Sequence, residues 1–219
     1  AGGKALLLKA DVGNPAEIEQ MFNTLTATFP RLDVLVNNAG IGRGARDQQS
    51  REMSPDGFEL RFQVNHLAPF LLTHLLQPLL RDHASARIVN VASASQDTLD
   101  FDDVMLEQAY DGTRAYSQSK LAMVMATFEL AKRLEPEGIT VNALHPGSLL
   151  DTKIVREAWG QAHGPVKTGV ESEFYLATSS ELDKATGKYF DQKRAVQAHS
   201  QAYDETARQR LWDISVQLT

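Results

Sequence analysis

The sequence predicts an α/β protein in which helices cover both faces of a parallel sheet, a three-layer sandwich. Short apolar runs alternate along the chain with longer segments whose apolar residues recur at helical spacing. This alternation is typical of βαβ units, which place their strands parallel in one sheet. The 219 residues are 42% hydrophobic and 23% charged, a composition that suits one globular domain with a sizeable core. We therefore expect a single domain over residues 1–219.

The predicted strands are short apolar runs that end in small or polar residues. In chain order they are residues 4–9, 32–36, 87–91 and 139–144, followed by a short strand at 188–190. The predicted helices carry apolar residues at 3.6-residue spacing. The first begins with Asn14 as N-cap and Pro15 at its first position, and Pro30 ends it. Helices are also predicted over residues 55–83, 116–134 and 204–218. Pro69 and Pro78 are expected to bend or break the second of these.

Composition and charge argue against several functional classes. The net charge of -6 leaves no basic surface for nucleic acid. The chain has no cysteine and six scattered histidines without an HExxH pattern, so we expect no metal site. No apolar run approaches the roughly 20 residues that a membrane span requires. We expect no membrane span and a cytoplasmic location.

Tyr116 and Lys120 stand four residues apart at the start of a predicted helix. At that spacing both side chains lie on one helical face, where a lysine ammonium favours the phenolate and lowers the tyrosine pKa. A phenol with a free pKa of about 10 could then exchange protons near neutral pH. Tyr189 and Lys193 repeat the spacing, but on a strand-like segment, where the two side chains do not share a helical face. We assign this second pair to structure or to a pocket wall.

Four predicted strands end in residues that suit ligand binding. These ends are Asp11-Val12, Asn37 to Gly40, Ser93 and its neighbours, and Pro146-Gly147. Ligands of open parallel sheets bind beyond the carboxyl ends of the strands. Small polar residues also end strands because turns need them, so each end taken alone has two interpretations. Their joint occurrence around the Tyr116 helix favours a binding site.

These residues together resemble the short-chain dehydrogenase/reductase family. The matching segments are Asp11-Val12, Asn37-Asn38-Ala39-Gly40, Asn65, Arg87 to Ser93, Tyr116 with Lys120, and Pro146-Gly147 followed by Thr152. Residues 63–73, 101–103 and 144–147 are most similar to the retinol-dehydrogenase-like branch of that family. The resemblance implies a Rossmann-like fold and an oxidoreductase that moves a hydride between NAD or NADP and an alcohol or carbonyl. It also implies a small, hydrophobic substrate, and a homodimer formed through the helices at 55–83 and 116–134.

The resemblance implies roles for individual residues. Tyr116 would be the general acid/base and Lys120 would lower its pKa and bind the nicotinamide ribose. Ser93 would hold the substrate oxygen, and Asn65 would hold a water that links Lys120 to solvent. The remaining implied cofactor contacts are Asp11 and Val12 at the adenine, Asn38, Ala39 and Gly40 at the adenosine ribose, and Pro146, Gly147 and Thr152 at the nicotinamide. Asn65 and Asp11 also have purely structural interpretations, as a residue that satisfies backbone groups at a helix bend and as a helix cap.

One family element is not found in the sequence. Family members begin with a strand, a TGxxxGxG turn and a helix that bind the cofactor pyrophosphate, and the glycine clusters here do not follow that pattern. We therefore expect an N-terminally incomplete domain, truncated of its first two strands. Residues 32–36 should become a sheet edge, and the chain should either pair residues 5–8 with that edge or fold poorly. The alternative functions are a non-catalytic Rossmann-fold binding or regulatory protein, or an inactive fragment.

Overall fold

The computed structural model describes residues 3–44, 50–81 and 85–219 and contains one five-stranded sheet. The strands are β1 (Val34–Asn37), β2 (Arg87–Val91), β3 (Thr140–His145), β4 (Lys188–Asp191) and β5 (Arg194–Val196). They lie in the order β1-β2-β3-β4-β5. The pairs β1–β2, β2–β3 and β3–β4 are parallel, and β5 pairs with β4 antiparallel. The predicted parallel sheet is confirmed, with one antiparallel strand that the sequence did not predict.

Helices flank the sheet on both faces. They are α1 (Pro15–Thr28), α2 (Leu60–Phe62), α3 (Ala68–Arg81), α4 (Gly112–Leu134), α5 (Lys153–Trp159), α6 (Val166–Thr178) and α7 (Glu205–Leu218), with a π-helix at Gln63–Leu67 and 3-10 turns at Glu135–Glu137, Ser180–Leu182 and Ser200–Tyr203. Asn14 caps α1 and Asp204 caps α7 through side-chain hydrogen bonds to backbone N–H groups. The predicted helix starts at Asn14 and Asp204 are confirmed.

Alternate residues of one strand face different helices. Ile88 belongs to the apolar cluster that contains Leu76 of α3 and Leu130 of α4. Its neighbour Val89 packs with Leu176 of α6 on the opposite face. Successive side chains of a strand point to opposite faces of a sheet, so both faces of β2 are covered. The predicted three-layer, Rossmann-like arrangement is confirmed.

The predicted strand at residues 4–9 is wrong. Residues 3–10 contain no strand, and Leu7 is 93% exposed. A strand forms only where a neighbouring strand satisfies its backbone hydrogen bonds, and no described strand pairs with this segment. In the described part of the chain, β1 pairs with β2 alone. The predicted edge at residues 32–36 is confirmed, whereas the predicted pairing of residues 5–8 with that edge is wrong.

The long helical segment that precedes β2 changes its pitch in the middle. The π-helix Gln63–Leu67 ends with a bond from the N–H of Ala68 to the carbonyl of Gln63, directly before Pro69. Proline has no N–H to donate to the helical backbone. The break in the α-helix that was predicted near Pro69 is therefore present, in the form of this π-helix. The helix continues through Pro78 without a break. The predicted end at residue 83 lies outside the described residues.

Candidate active site

The carboxyl ends of β1, β2 and β3 meet at one edge of the sheet and border a cavity of about 540 Å³. Parallel strands present their ends on the same side, as the sequence analysis assumed. Eight of the predicted site residues line this cavity. They are Asn38, Gly40, Ser93, Tyr116, Lys120, Pro146, Gly147 and Thr152.

Tyr116 and Lys120 lie on the first turns of α4, which Asp111 begins as N-cap. The Lys120 Nζ donates to the carbonyl oxygen of Val91 at 2.8 Å, and only 5% of the residue is exposed. Burial disfavours the charged ammonium and lowers the pKa of Lys120 to about 8. An ammonium has three donors, and this carbonyl is the one acceptor that the described residues provide within hydrogen-bond distance.

The pKa of Tyr116 is raised in this structure. Burial raises it by disfavouring the phenolate, and a hydrogen bond with the Ser93 side chain opposes that effect. The Lys120 ammonium donates to the Val91 carbonyl here, and the lowering of the Tyr116 pKa by Lys120 stays a prediction. Tyr116 is therefore a protonated phenol at neutral pH.

Ser93 is held at the end of β2 from several directions. Its Oγ accepts from the N–H of Ser95 at 3.0 Å. Its carbonyl oxygen accepts from the Tyr189 hydroxyl and from Gln96 Nε2, both at 2.9 Å. Tyr189 is 4% exposed and lies in β4. The predicted role of Tyr189 is structural or that of a pocket wall, and its hydroxyl lies against the Ser93 carbonyl.

Asn65 lies in the π-helix and is fully buried. Its Oδ1 accepts from the N–H of Ile41 at 2.9 Å, and its Nδ2 donates to the Ile41 carbonyl at 3.0 Å and to Ser119 Oγ at 3.0 Å. Both ends of the amide are thus used to fix the loop after β1 against α4. A Cβ on Gly40 would come within 3.0 Å of Asn65 Oδ1 and 3.4 Å of Lys120 Nζ, so glycine permits this close approach.

Three predicted cofactor residues lie apart from the cavity. Asp11 is exposed, and its Oδ1 accepts from the N–H of Gly13 at 2.8 Å in the turn before α1. Asn14, one turn later, is the residue that caps the helix. Val12 and Ala39 border a smaller cavity of about 60 Å³ that also contacts Asn38. Asn38 therefore connects this smaller cavity with the larger one.

The wall opposite α4 is formed by residues that the sequence analysis did not single out. Leu149 and Leu150 follow Gly147, while Trp159 ends α5 and Val166 begins α6. Glu173 of α6 also lines this wall. No sequence signal identifies these residues, because their approach to the site depends on how α5 and α6 pack against the strand ends.

Residues 3–44, 50–81 and 85–219 contain no group of three or more His, Cys, Asp or Glu side chains placed to hold a metal ion. They also contain no helix that is long and apolar enough to cross a membrane.

Comparison with known proteins gives consistent matches. Residues 1–162 match the sequence model of a family described as short chain dehydrogenase. The human protein named Retinol dehydrogenase 14 is 37% identical over 229 aligned residues, which cover 97% of this chain. The chain spans 66% of that relative's length.

Solved structures are similar in fold. An uncharacterized protein from Mycobacterium Paratuberculosis has a TM-score of 0.76 at 27% identity, with 95% of this chain and 73% of that chain covered. The NADPH-bound carbonyl reductase from chicken fatty liver has a TM-score of 0.64 at 25% identity, with 88% and 77% covered.

Proposed function

The chain belongs to the short-chain dehydrogenase family, in its retinol-dehydrogenase-like branch, and we therefore propose that it is an NAD- or NADP-dependent oxidoreductase of alcohols or carbonyls. The observation that carries the proposal is the pair of hydroxyl groups, Ser93 and Tyr116, which line one cavity together with the buried Lys120 ammonium. A substrate oxygen that reaches both hydroxyls has one group to position it and one to exchange its proton.

The described residues fit the nicotinamide end of such a cofactor. Lys120 is a buried ammonium with a single carbonyl acceptor among the described residues, so its remaining donors suit the hydroxyl oxygens of a ribose. The absence of a side chain at Gly40 leaves open the space beside Lys120 Nζ and Asn65 Oδ1. In the proposal Pro146, Gly147 and Thr152 border the nicotinamide, and all three line the cavity.

The remaining cofactor contacts are proposed for the smaller cavity and its surroundings. Asn38 and Ala39 follow β1 and border the smaller cavity, while Gly40 borders the larger one. In the proposal these three residues contact the adenosine ribose. Val12 borders the same smaller cavity and would contact the adenine. Asp11 is exposed beside it and would contact the adenine as well.

The mechanism assigns one task to each side chain. A bound nicotinamide cofactor supplies or accepts the hydride at the substrate carbon. Tyr116 gives its proton to the substrate oxygen during carbonyl reduction and takes it back during alcohol oxidation. Ser93 donates a hydrogen bond to the same oxygen, and Lys120 orients the ribose. Asn65 fixes the loop at Ile41, and in the proposal it also holds the water that passes protons towards Lys120.

Several finer points of the proposal concern substrate, assembly and location. A hydrophobic substrate is supported by the apolar wall of Leu149, Leu150, Val166 and Val170. A homodimer through α3 and α4 is a prediction that sedimentation equilibrium tests. Within the chain α7 packs against both helices, through Leu211 in the apolar cluster of α4 and through Trp212, whose ring centroid lies 5.0 Å from that of Phe70 in α3. The cytoplasmic location is a prediction that cell fractionation tests.

The test of the proposed function is Tyr116→Phe in the full-length protein. We expect wild type to oxidise NADH or NADPH with at least one member of a panel of aldehydes and ketones. The variant should lose turnover by about 100-fold or more, because general acid/base catalysis contributes that much, while cofactor binding measured by fluorescence stays unchanged. A wild-type protein that binds the cofactor and turns over no carbonyl would support the non-catalytic alternative.

A further inference from the structure

One carboxylate, that of Glu173, lines the cavity on the wall opposite α4. Val166, Gly169, Val170 and Glu173 of α6 all border the cavity, and their spacing of three and four residues defines a single helical face. Glu173 is partly buried, unlike a solvated surface carboxylate. Its side chain therefore faces the same space as Ser93 and Tyr116.

The packing of Gly169 brings this face close to the strand ends. A Cβ on Gly169 would approach Leu150 Cδ1 to 2.8 Å and Pro146 Cβ to 3.5 Å, so α6 packs closely against the loop after β3 at this position. Glu173 follows four residues later, which is about 6 Å along the helix axis at 1.5 Å per residue. Glu173 and Tyr116 line the same cavity of about 540 Å³, so one small substrate can contact both side chains.

Glu173 has no hydrogen-bond or ion-pair partner among the described residues, and burial raises its pKa. Glu171, two residues earlier, is different. It pairs with Lys167 at 3.6 Å and with Lys193 at 3.7 Å, on a face of α6 that does not line the cavity. A carboxylate that faces an otherwise largely apolar pocket without a protein donor has its hydrogen-bonding capacity available for a ligand.

We propose that Glu173 is a specificity-determining residue that accepts a hydrogen bond from a second polar group of the substrate. The inference rests on the proposed function and specifies its substrate class. The preferred substrate is an alcohol or carbonyl compound that carries a hydroxyl or ammonium donor several bonds away from the reacting carbon, joined to it by an apolar segment. The apolar residues Val166 and Val170 contact that segment, and Glu173 binds the donor.

The experiment compares three straight-chain aldehydes of equal length in the full-length protein: one unsubstituted, one with a terminal hydroxyl and one with a terminal ammonium. Wild type should prefer the two substituted aldehydes in kcat/KM. Glu173→Leu should reduce kcat/KM for both by about tenfold, the usual effect of losing a hydrogen bond to a charged group, and leave the unsubstituted aldehyde within about twofold of wild type. Glu173→Gln keeps an amide acceptor, so it should lose the ammonium preference more than the hydroxyl preference.

Glu171→Gln is the matched control, since it removes a carboxylate from the same helix outside the cavity. It should leave all three kcat/KM values unchanged. Equal use of the three aldehydes by wild type, or equal losses in Glu173→Leu for all three, would overturn the inference while the proposed function stands.

Binding distinguishes the inference from the proposed function. The corresponding alcohols, unsubstituted and with a terminal ammonium, are titrated by calorimetry into wild type and Glu173→Leu. If wild type turns over no aldehyde but binds the ammonium alcohol more tightly, and Glu173→Leu loses that preference, the oxidoreductase proposal fails and the role of Glu173 stands. Wild type that shows no donor preference in binding and no turnover would overturn both.

Discussion

The chain contains two tyrosine–lysine pairs with the same four-residue spacing and places them in different structures. Tyr116 and Lys120 lie one helical turn apart on α4 and both line the cavity. Tyr189 lies in β4, and Lys193 lies in the turn that leads to β5. A four-residue spacing alone thus does not predict a functional pair. In an α-helix, with 3.6 residues per turn, the two side chains share a face, whereas in a hairpin they are separated.

The two lysines differ most. Lys120 is almost fully buried, and burial lowers its pKa to about 8. The Lys193 side chain is 51% exposed and pairs with Glu171 across 3.7 Å. The charged Lys120 ammonium is costly to bury and has donors available for a ligand. The ion pair between Lys193 and Glu171 lies at the surface and contributes little to stability. Substitution of Lys120 should therefore reduce activity, whereas substitution of Lys193 should remove only a surface ion pair.

The largest expected effect is that of Lys120→Met. Loss of the ammonium should misplace the cofactor ribose and reduce kcat/KM by about 100-fold. The free energy of unfolding should stay within about 1 kcal/mol of wild type, because the relief of a buried charge opposes the loss of the bond to the Val91 carbonyl. Steady-state kinetics and urea denaturation measure the two quantities.

Lys193→Met is the matched control for that substitution. It should change kcat/KM by less than about twofold, in keeping with an exposed side chain outside the cavity. Equal losses of activity in the two variants would contradict the distinction between the pairs.

The pH dependence separates the two directions of the reaction. A raised Tyr116 pKa keeps the phenol protonated at neutral pH, so it is ready to act as an acid in carbonyl reduction. Alcohol oxidation needs the phenolate, whose fraction grows about tenfold per pH unit below the pKa. We expect kcat/KM for oxidation to rise with pH as the phenolate fraction grows. It should level off above pH 8, because Lys120, which orients the ribose, then loses its charge. Initial rates between pH 6 and 10, in both directions, measure this.

His145 is a further titratable residue that could disturb this profile, since it lines the same cavity as Tyr116 and Lys120. Burial lowers its pKa, so it is neutral across the range in which Tyr116 and Lys120 change charge. An oxidation rate that falls between pH 6 and 8 would show that Tyr116 is not the base.

The two tyrosines also differ in what they contact. Tyr116 reaches the cavity, while the Tyr189 hydroxyl donates to the backbone carbonyl of Ser93 at 2.9 Å. Tyr189→Phe removes one of the two donors that hold this carbonyl, the other being Gln96 Nε2. We expect kcat to fall by about tenfold through displacement of Ser93, with the free energy of unfolding reduced by about 1 kcal/mol.

Kinetics and the pH profile together identify Tyr189 as a positioning residue. KM and the midpoint of the pH profile should stay close to those of wild type, because Tyr116 is still the acid and base. A shifted profile would give Tyr189 a direct part in proton exchange. Tyr203→Phe alters an exposed tyrosine whose hydroxyl accepts from the N–H of Ala198, and it should leave kcat unchanged.

Much of the candidate site could be predicted because parallel strands bring their ends together. Ser93 and Gly147 each follow a strand, and the helix of Tyr116 has a long apolar stripe, so the sequence placed all three at one edge before any contact was known. Glu173 could not be predicted in this way. Its position depends on Gly169 packing against Pro146, a tertiary contact that leaves no periodic signal in the sequence.

The failures in the fold have equally specific causes. Residues 4–9 are apolar enough for a strand, yet a strand also needs a partner, and local sequence does not show whether one exists. β5 was missed because its turn lacks the Asn-Gly type of signal that marks two-residue hairpins. Gln192 adopts a positive φ of 54° there instead, which few side chains adopt and which sequence patterns rarely predict.

The smallest expected effect tests the hairpin end of the second pair. Gln192→Gly should relieve the positive φ at the turn and change the free energy of unfolding by less than about 1 kcal/mol. The strand pairing of Tyr189 with Val196 should persist, so kcat should stay at the wild-type value. If this variant lost activity and kept its stability, the conformation of the hairpin turn would determine the position of Ser93. The single hydrogen bond from Tyr189 to the Ser93 carbonyl would then not explain the whole effect. Urea denaturation and steady-state kinetics on the same preparation distinguish these outcomes.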